Sequence, residues 1–504
     1  MSELPDAWQA TTVGECFLEI KNGTTATQNK LASGIPVSRI ETIQKNKFDL
    51  NRIQHIESPS DGLVEAYGYQ EGDIAFSHIN SFEHVGKTAL YEGKPETLIH
   101  GMNLLRLRRG HEHIHPKFAH YFMLSNFFRE EVRKRVGHAV NQVSINQKKL
   151  SEVPFVLAPL DEQRRIVAKL EKLLSRMHAV QARLATIPDI LKRFRQSVLA
   201  EACSGRLTVD WRKPASKLQP AGELLQRVCA RRNEWLKAEI KTNPEARRLK
   251  AKLANHSFEI PTEINIPKDW SWASLLKSSW IVVDCHNKTA PYVKEGIPLV
   301  RTTNIKNGRL LTNQLKYVSK ETYEYWSRRC PPRGGDILFT REAPMGESAL
   351  IPEGFQLCMG QRTMLLRFFD DLVDPKYVSY ALRDPIFLSR VDENSVGSGV
   401  KHLRVGDVEA LTILIPPFAE QQEIVRRVEA LFKTADALEA RYRKAKAHVD
   451  KLTQSILAKA FRGELVPQDP NDEPASVLLE RIRASQNAAQ NRKDKDKSRK
   501  ARVG

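Results

Sequence analysis

The chain contains an internal repeat, and this repeat constrains its fold more than any other feature. Residues 159–167 read PLDEQRRIV, and residues 417–425 read PFAEQQEIV, 258 positions later. The same offset continues without a gap to Gly205 in the first copy and Gly463 in the second. A repeat of this length predicts two copies of one structural unit.

Shorter matches extend the repeat over most of the chain. Each copy has the same order: a mixed globular segment, a long helical segment and a short tail. Two such copies can place two similar surfaces around a pseudo-two-fold axis. The paired segments are PDAW at 5–8 and PKDW at 267–270, GIPVSR at 34–39 and GIPLVR at 296–301, GDIAFS at 72–77 and GDILFT at 335–340, and PAGELL at 220–225 and PASVLL at 474–479.

The helical segment of each copy carries apolar residues at alternating spacings of four and three. This heptad seam, with a mean period of about 3.5 residues, favours a supercoiled helix pair over a broad amphipathic face. We expect the two seams to pack on each other; two ordinary core helices are the alternative. The seam residues are Ile166, Leu170, Leu173, Met177, Val180, Leu184, Ile187, Leu191, Phe194 and Val198, and then Ile424, Val428, Leu431, Ala435, Leu438, Tyr442, Ala445, Val449, Leu452 and Ile456.

Glycine and proline mark the limits of these helices. Gly205 and Gly463 lie just beyond the periodic run, where a left-handed residue can end a helix. Pro188 lies inside the first seam and has no counterpart in the second. Because proline lacks an amide donor, we expect it to kink or briefly interrupt the first helix.

The globular segments have the features of a mixed fold. Strand-like runs occur at 72–77, 104–108 and 412–415, and helices are expected to begin near Pro116 and Pro375. We predict an α/β (α+β) protein with two pseudo-symmetric mixed α/β domains separated by a long two-helix coiled coil. The predicted segments are a first domain at 1–157, a first spacer helix at 158–205, a helical appendage and linker at 206–266, a second domain at 267–415, a second spacer helix at 416–463, and a C-terminal helix with a basic disordered tail at 464–504.

The charge balance points to an acidic partner. The chain has 79 lysines and arginines against 60 aspartates and glutamates, which gives a formal net charge of +19. Such a surplus favours a polyanion, most often nucleic acid, as the partner. An unrelated basic protein is the alternative. Residues 492–500 read RKDKDKSRK, and we expect them to be disordered because they contain no apolar residue.

The cysteines and the hydropathy pattern indicate the compartment. The 6 cysteines form no Cys-x-x-Cys pair, which fits a reducing cytoplasm. No apolar run reaches the length of a membrane span, and the first residues lack the features of a signal peptide. We therefore expect a cytoplasmic protein without a membrane segment.

No motif predicts catalysis by this chain. VGKT at 85–88 lacks the upstream glycine of a phosphate-binding loop, so a tight turn is expected there. HEHIH at 111–115 has no partner cluster, so a solvated strand or loop is favoured over a metal site. The chain also lacks the Asn/Asp-Pro-Pro-Tyr/Phe tetrapeptide with which methyltransferases hold the adenine amino group. We predict no catalytic residue and no metal ligand.

Four segments resemble the specificity subunits of type I restriction–modification systems. They are the two helix openings at 159–167 and 417–425, SILAKAFRGEL at 455–465, and GVKHLR at 399–404. The resemblance covers nearly the whole chain. It implies two target-recognition domains that each read one half of a split, asymmetric site in double-stranded DNA, held apart by the two long helices in an antiparallel arrangement.

The same resemblance has implications for partners and cofactors. It implies two methylation subunits, which carry S-adenosylmethionine and methylate adenine, and motor-nuclease subunits, which use ATP and Mg²⁺ for restriction. This chain itself is then a non-catalytic specificity subunit without a cofactor.

The resemblance places the DNA-facing loops after each Gly-Asp strand and before each long helix. Arginine can bridge guanine, asparagine or glutamine can bridge adenine, and lysine or serine can hold phosphates. For each residue alone, surface solvation or a local turn bond is the alternative. Residues 141–143 stand where the second copy has 401–403, so the two loops are not expected to contact DNA alike. The candidates are Ser77, His78, Asn80, Asn141, Gln142, Ser144, Thr340, Arg341, Gln361, Arg362, Lys401, His402 and Arg404.

Two other functions are compatible with the sequence. A stand-alone DNA-binding or coiled-coil scaffold would bind specifically without a methylation partner. An enzyme would transfer methyl groups by itself. The recognised DNA sequence and its spacer length do not follow from the residues, because base preference depends on loop conformation and DNA shape.

Overall fold

Contacts between residues divide the chain into two units, each with its own apolar core. Unit 1 comprises Met1–Ala185 and Arg443–Gly504, and unit 2 comprises Thr186–Tyr442. The computed structural model describes residues 4–30, 33–57, 59–109, 112–139, 142–213, 218–261, 265–397 and 399–500.

The elements of the first globular domain and the helices after it follow in chain order. The domain contains β1 (Gln9–Thr12), α1 (Val13–Cys16), β2 (Glu19–Asn22), β3 (Ile35–Ser38), β4 (Ile43–Gln44), β5 (Lys47–Phe48), β6 (Gln54–Ile56), α2 (Leu63–Tyr67), β7 (Ile74–Ser77), β8 (Ile79–Asn80), β9 (Thr88–Leu90), β10 (Ile99–His100), β11 (Leu104–Arg108), α3 (Pro116–Leu124), α4 (Asn126–Arg135), β12 (Gly137–Ala139), β13 (Gln142–Ser144), α5 (Gln147–Ser151) and β14 (Pro154–Leu157). The helices are α6 (Leu160–Cys203), α7 (Val209–Arg212), α8 (Ala221–Glu239) and α9 (Pro244–Ala254).

The second domain repeats this order, and two further helices follow it. The domain contains β15 (Ser271–Ser274), α10 (Leu275–Ser278), β16 (Ile281–Asp284), β17 (Ile297–Val300), β18 (Ile305–Lys306), β19 (Arg309–Leu310), β20 (Lys316–Val318), α11 (Lys320–Ser327), β21 (Ile337–Arg341), β22 (Met345–Leu350), β23 (Cys358–Met359), β24 (Thr363–Arg367), α12 (Pro375–Ala381), α13 (Pro385–Glu393), α14 (Val405–Ala410) and β25 (Thr412–Ile415). The helices are α15 (Phe418–Ala460) and α16 (Ala475–Lys500).

The two domains share their sheet topology, which confirms the predicted mixed fold. An antiparallel four-stranded sheet has the order β2-β11-β7-β9 in unit 1 and β16-β24-β21-β22 in unit 2. A smaller sheet has the order β10-β3-β6 in the first domain and β23-β17-β20 in the second. In both small sheets the first two strands run parallel. The strands at 72–77, 104–108 and 412–415 and the helices beginning at Pro116 and Pro375 are confirmed.

The Gly-Asp motif fixes the central strand of each four-stranded sheet. Asp73 pairs with Arg108 at 2.6 Å, and Asp336 pairs with Arg367 at the same distance. Both aspartates are almost completely buried. Because a buried carboxylate needs a charged or hydrogen-bonded partner, the arginine on the neighbouring strand compensates its charge. The motif is therefore structural.

The long helices α6 and α15 run antiparallel. In unit 1, Ile166 and Leu170 at the start of α6 share a core with Leu457 at the end of α15. In unit 2, Val198 at the end of α6 shares a core with Ile424 at the start of α15. The start of each helix thus lies beside the end of the other, which confirms the packing that the matched seams predicted and the antiparallel arrangement that the family resemblance implied.

The seam is buried mainly near the ends of the helices. Val180 in unit 1, and Phe194 and Leu438 in unit 2, are seam residues that remain more than a third exposed. The central part of each helix therefore leaves apolar side chains partly uncovered.

The glycines at the helix ends behave as predicted. Gly205 has φ 77° and Gly463 has φ 76°, both left-handed. A Cβ atom at Gly205 would clash with Pro267, and one at Gly463 would clash with Pro5. Both positions therefore require glycine for two reasons, the backbone conformation and the close approach of a proline.

Two expectations about the helices need correction. The expected interruption at Pro188 does not occur, because helix α6 runs through it and one lost backbone hydrogen bond in a helix of 44 residues is outweighed by the bonds on both sides. The expected kink stays a prediction. Residues 492–500, expected to be disordered, form the end of α16. This segment contains neither glycine nor proline, and lysine and arginine favour helix.

The repeated sequences at the starts of the long helices, at 159–167 and 417–425, also have a structural role. Glu162 accepts a hydrogen bond from the Trp8 indole Nε1 at 2.8 Å, and Glu420 accepts one from the Trp270 indole at 2.9 Å. Both glutamates are fully buried. The glutamates of the two helix openings and the tryptophans of the PDAW and PKDW segments thus form one clamp in each unit.

Candidate functional site

In the first domain, the segment after β7 joins two other loops through backbone hydrogen bonds. The amide of His78 donates to the carbonyl of Asn103 at 3.3 Å, and the amide of Ile145 donates to the carbonyl of His78 at 3.0 Å. Strand β8 also pairs with β13, with Asn80 opposite Val143. The predicted segments at 77–80 and 142–144 therefore lie on adjacent strands.

The second domain has the same junction. The amide of Arg341 donates to the carbonyl of Arg362 at 2.9 Å, and the amide of Leu403 donates to the carbonyl of Arg341 at 3.0 Å. Glu342 and His402 form a β-bridge beside it. The structure thus brings together the predicted segments at 340–342, 361–362 and 401–404.

The hydrogen bonds establish which residues correspond. His78 corresponds to Arg341, Asn103 to Arg362, and Ile145 to Leu403. The alignment of residues 141–143 with 401–403 is therefore wrong by two positions. The offset of 258 found in the helices already applies from this loop onward. Asn141 itself lies outside the described residues.

The correspondence reveals two residues that the sequence reasoning missed, Met102 and Asn103. Asn103 has φ 73° and Arg362 has φ 68°, so both occupy the same left-handed turn position. Met102, which corresponds to Gln361, is 56% exposed. The signal was present in the sequence, because Gly101 and Gly360 each precede the turn by two residues.

Two candidates do not present their side chains to the surface. Ser77 and Thr340 are completely buried at the ends of β7 and β21. The Ser77 hydroxyl accepts from the Asn80 amide at 3.2 Å, and the Thr340 hydroxyl accepts from the Glu347 backbone amide at 2.9 Å. The expectation that these hydroxyls contact DNA is corrected, because the strand pleat turns them into the domain.

Several candidates are exposed, and some have acidic partners. The Arg362 guanidinium lies 3.1 Å from Glu342, and the Lys401 ammonium lies 2.8 Å from Asp392. A ligand of these cations would compete with those carboxylates. The other exposed candidates are Gln142, Ser144, Gln361 and Arg404.

His78, Arg341 and His402 lie at the base of the junctions and are half-buried. The Arg341 guanidinium donates to the Leu403 carbonyl at 3.2 Å, which holds this side chain across the junction. Burial lowers the pKa of His78 below its usual value, because a low-polarity environment disfavours the charged imidazolium. His78 is therefore a neutral hydrogen-bonding group at neutral pH, whereas Arg341 carries a positive charge.

The part of the chain that the structure describes shows neither a metal centre nor a membrane span. Within it, no group of three histidine, cysteine or acidic side chains is arranged to hold a metal ion. No described helix is long and apolar enough to cross a membrane.

The fold and the paired junctions define a duplicated protein with two equivalent loop surfaces. The family model for the type I restriction modification DNA specificity domain matches residues 5–188 and 284–447. The chain therefore belongs to the type I restriction–modification DNA specificity family, as its motifs indicated. In this family the chain supplies the DNA specificity of a type I restriction–modification system.

Individual relatives agree with this assignment. A putative MjaX specificity subunit of Methanocaldococcus jannaschii is 28% identical over 92% of this chain and 95% of its own length. The EcoBI specificity subunit of Escherichia coli is 32% identical over 69% of this chain and 68% of its own length.

Two solved structures support the fold. One chain, from a study of complex assembly in a type I restriction–modification system, has a TM-score of 0.64 at 19% identity and covers 92% of this chain and 100% of its own length. The HsdS subunit of Thermoanaerobacter tengcongensis has a TM-score of 0.51 at 19% identity, with 92% and 98% covered. Both likenesses concern the fold alone.

Proposed function

We propose that each domain reads one half of a split, asymmetric site in double-stranded DNA, and that this chain performs no chemistry itself. The repeated three-segment junction carries the proposal. In both domains, the same hydrogen bonds hold a left-handed turn and the loop before the long helix against the residue that follows the central strand. Loops fixed in this way can present side chains to base edges in a defined geometry.

The exposed residues have the chemistry for base recognition. Gln142 in the first domain and Gln361 in the second carry amides that can bridge adenine, and Arg362 can bridge guanine. The net charge of +19 supports binding to the phosphate backbone.

We propose further that the chain acts with two methylation subunits, which carry S-adenosylmethionine and methylate adenine, and with motor-nuclease subunits, which use ATP and Mg²⁺. The cytoplasm is the proposed location. The exposed seam residues Val180, Phe194 and Leu438 support docking of partner helices, since an apolar seam is stabilised by a further helix.

A domain exchange tests whether each domain reads its half-site independently of the other. Residues 1–157 are replaced by the same region of a relative, and the methylated motif of the host DNA is mapped. We expect one half-site to change and the other to persist. Alteration of both half-sites, or of neither, would contradict separate readout.

Substitution of equivalent residues tests the junction itself. Arg341→Ala and His78→Ala remove corresponding side chains in the two domains. If these residues read bases, each variant relaxes preference at one half-site only, and at different half-sites. A uniform loss of affinity for cognate and scrambled duplexes would instead assign Arg341 to the DNA backbone.

A direct assay tests the absence of chemistry. The purified full chain is incubated with S-adenosylmethionine and DNA, with the co-expressed methylation subunits as the positive control. Methyl transfer by the chain alone would refute the non-catalytic role.

A further inference from the structure

Helix α4 of the first domain carries two arginines on one face. Arg129 and Arg133 are four residues apart, so their side chains are neighbours on the helix surface. Both are half-buried. Like charges at this spacing destabilise a helix, and partial burial increases their repulsion.

These two arginines lack the acidic partner that usually compensates such a pair. Neither forms an ion pair among the residues that the structure describes, whereas Lys134 and Arg135 on the same helix both pair with Glu131 at 2.6 Å. Burial lowers the pKa of Arg129 first, and the positive charge of Arg133 lowers it further. The helix thus holds two adjacent positive charges that no carboxylate in the described part of the chain neutralises.

The remaining contacts of the pair are weak. The Arg129 guanidinium donates to the Asn46 side-chain oxygen at 3.4 Å. The Arg133 guanidinium lies 5.9 Å from the centre of the Phe82 ring. Both residues are only half-buried, and a guanidinium with few protein acceptors favours a phosphate oxygen as the acceptor for its terminal nitrogens.

A second source of positive charge adjoins the pair. Strands β4 and β5 form a hairpin whose two-residue turn is Lys45 and Asn46, both left-handed with φ 48° and 61°. Lys45 and Lys47 are exposed at its tip. The contact between Asn46 and Arg129 places this tip against helix α4.

The second domain shows that the shared fold does not require these cations. The N-caps Ser125 and Asp384 align helices α4 and α13, so Leu388 stands in place of Arg129 and Asp392 in place of Arg133. Asp392 pairs with Lys401 at 2.8 Å. The second domain therefore has no cation at these two positions.

We propose that Arg129 and Arg133, together with Lys45 and Lys47 at the hairpin tip, form a phosphate clamp for the DNA backbone that only the first domain possesses. This inference rests on the proposed DNA-reading function. Phe82, which touches Arg133, lies two residues beyond Asn80, so the clamp adjoins the junction. A backbone clamp positions the duplex and does not read its sequence.

The test uses the full chain in complex with its co-expressed methylation subunits, and compares it with the same complex of the double variant Arg129→Gln, Arg133→Gln. Binding to cognate and scrambled duplexes is measured at several salt concentrations. We expect the log–log salt slope to become shallower by about 1.8, at about 0.9 per lost phosphate contact. Affinity should fall on both duplexes alike, and the thermal midpoint should stay unchanged or rise because a repulsion is removed. The control Lys134→Gln changes a neighbouring charge that already has a partner, and its slope should match the wild type.

Each other result has a definite meaning. If the wild type binds but the double variant keeps its slope, the clamp is refuted while the DNA-reading function stands. If the wild-type complex shows no specific binding, the proposed function fails, and the clamp fails with it. Loss on the cognate duplex alone would indicate base reading. An unchanged slope with lost co-purification of the methylation subunits would assign the patch to an acidic protein surface.

Discussion

Glu420→Gln should destabilise unit 2 by about 3 kcal/mol, which is the lower part of the range for breaking a buried ion pair. The Glu420 carboxylate is fully buried and accepts from Trp270 Nε1 at 2.9 Å, from Thr208 Oγ1 at 2.6 Å and from an Arg212 nitrogen at 2.5 Å. A glutamine replaces one acceptor oxygen by a donor and removes the charge that compensates Arg212. We take the lower value because the Arg212 side chain is 19% exposed and water can partly solvate it.

The corresponding change in unit 1, Glu162→Gln, is a matched control. Glu162 accepts from Trp8 and, at 2.6 Å, from the Gln468 amide, and it forms no ion pair among the described residues. Burial raises its pKa. The substitution removes one good acceptor but also removes an uncompensated buried charge. We therefore expect a loss of about 1 kcal/mol or less.

Hydrogen exchange of the amides in each unit is the suitable assay, because a chain with two cores need not unfold in one step. A difference of about 2 kcal/mol between the variants corresponds to about a thirtyfold difference in the local opening constant, since 1.4 kcal/mol is tenfold. Equal losses, or a larger loss in Glu162→Gln, would refute the role assigned to Arg212.

The loss of stability caused by the control substitution Glu162→Gln should depend on pH in one direction. Because the folded pKa of Glu162 is above the unfolded value of 4.5, the ionised carboxylate costs stability at neutral pH. This cost disappears as the pH falls below 4.5, and glutamine cannot show this recovery. The loss caused by Glu162→Gln should therefore be larger at pH 4 than at pH 7.

Three further predictions concern the core, a buried carboxyl and the helix pair. Phe461→Ala should cost unit 1 about 3–5 kcal/mol in chemical unfolding, because this buried ring packs on two phenylalanine rings at 5.1 and 5.3 Å; a loss below 1 kcal/mol would contradict it. Burial raises the Asp384 pKa from 3.8 to about 6, so the ionised carboxylate costs unit 2 stability above pH 6. Asp384→Asn removes this cost and still caps the helix, so it should stabilise unit 2 by up to about 3 kcal/mol above pH 6 but not near pH 3.8. Thermal melts at several pH values test this. Insertion of one heptad after Arg183 and one after Arg441 lengthens each helix by about 10 Å. The number of unread base pairs between the half-sites should then grow by roughly three. Methylation at the original spacing would show that something other than these helices sets the distance.

The repeat, the seams and the helix ends could be predicted because they depend on local patterns. A heptad spacing or a glycine after a helix has the same physical meaning wherever it occurs. The continuity of α6 through Pro188 could not be predicted in this way. It depends on the balance between one missing hydrogen bond and the many that surround it.

The structure brings the candidate loop segments together, but the burial of their individual side chains could not be predicted. Ser77 and Asn80 belong to one segment, yet one is fully buried and the other half-buried. Gly101 marks the turn of Met102 and Asn103 in the sequence, but only the hydrogen bond between Asn103 and His78 places this turn at the junction. The segment boundaries at 157, 205, 266, 415 and 463 stay predictions.

The sequence by itself determined that the chain has two copies of one design, mixed domains and a pair of long helices. Only the tertiary structure decided which groups meet, because those contacts join residues far apart in the chain. Glu162 and Glu420 occupy equivalent positions, yet Arg212 compensates only Glu420. Likewise, equivalent helices carry an uncompensated Arg133 in one domain and an Asp392 paired with Lys401 in the other. The free energy of a buried charge depends on the neighbours that the folded chain places around it, and the repeat pattern does not encode them.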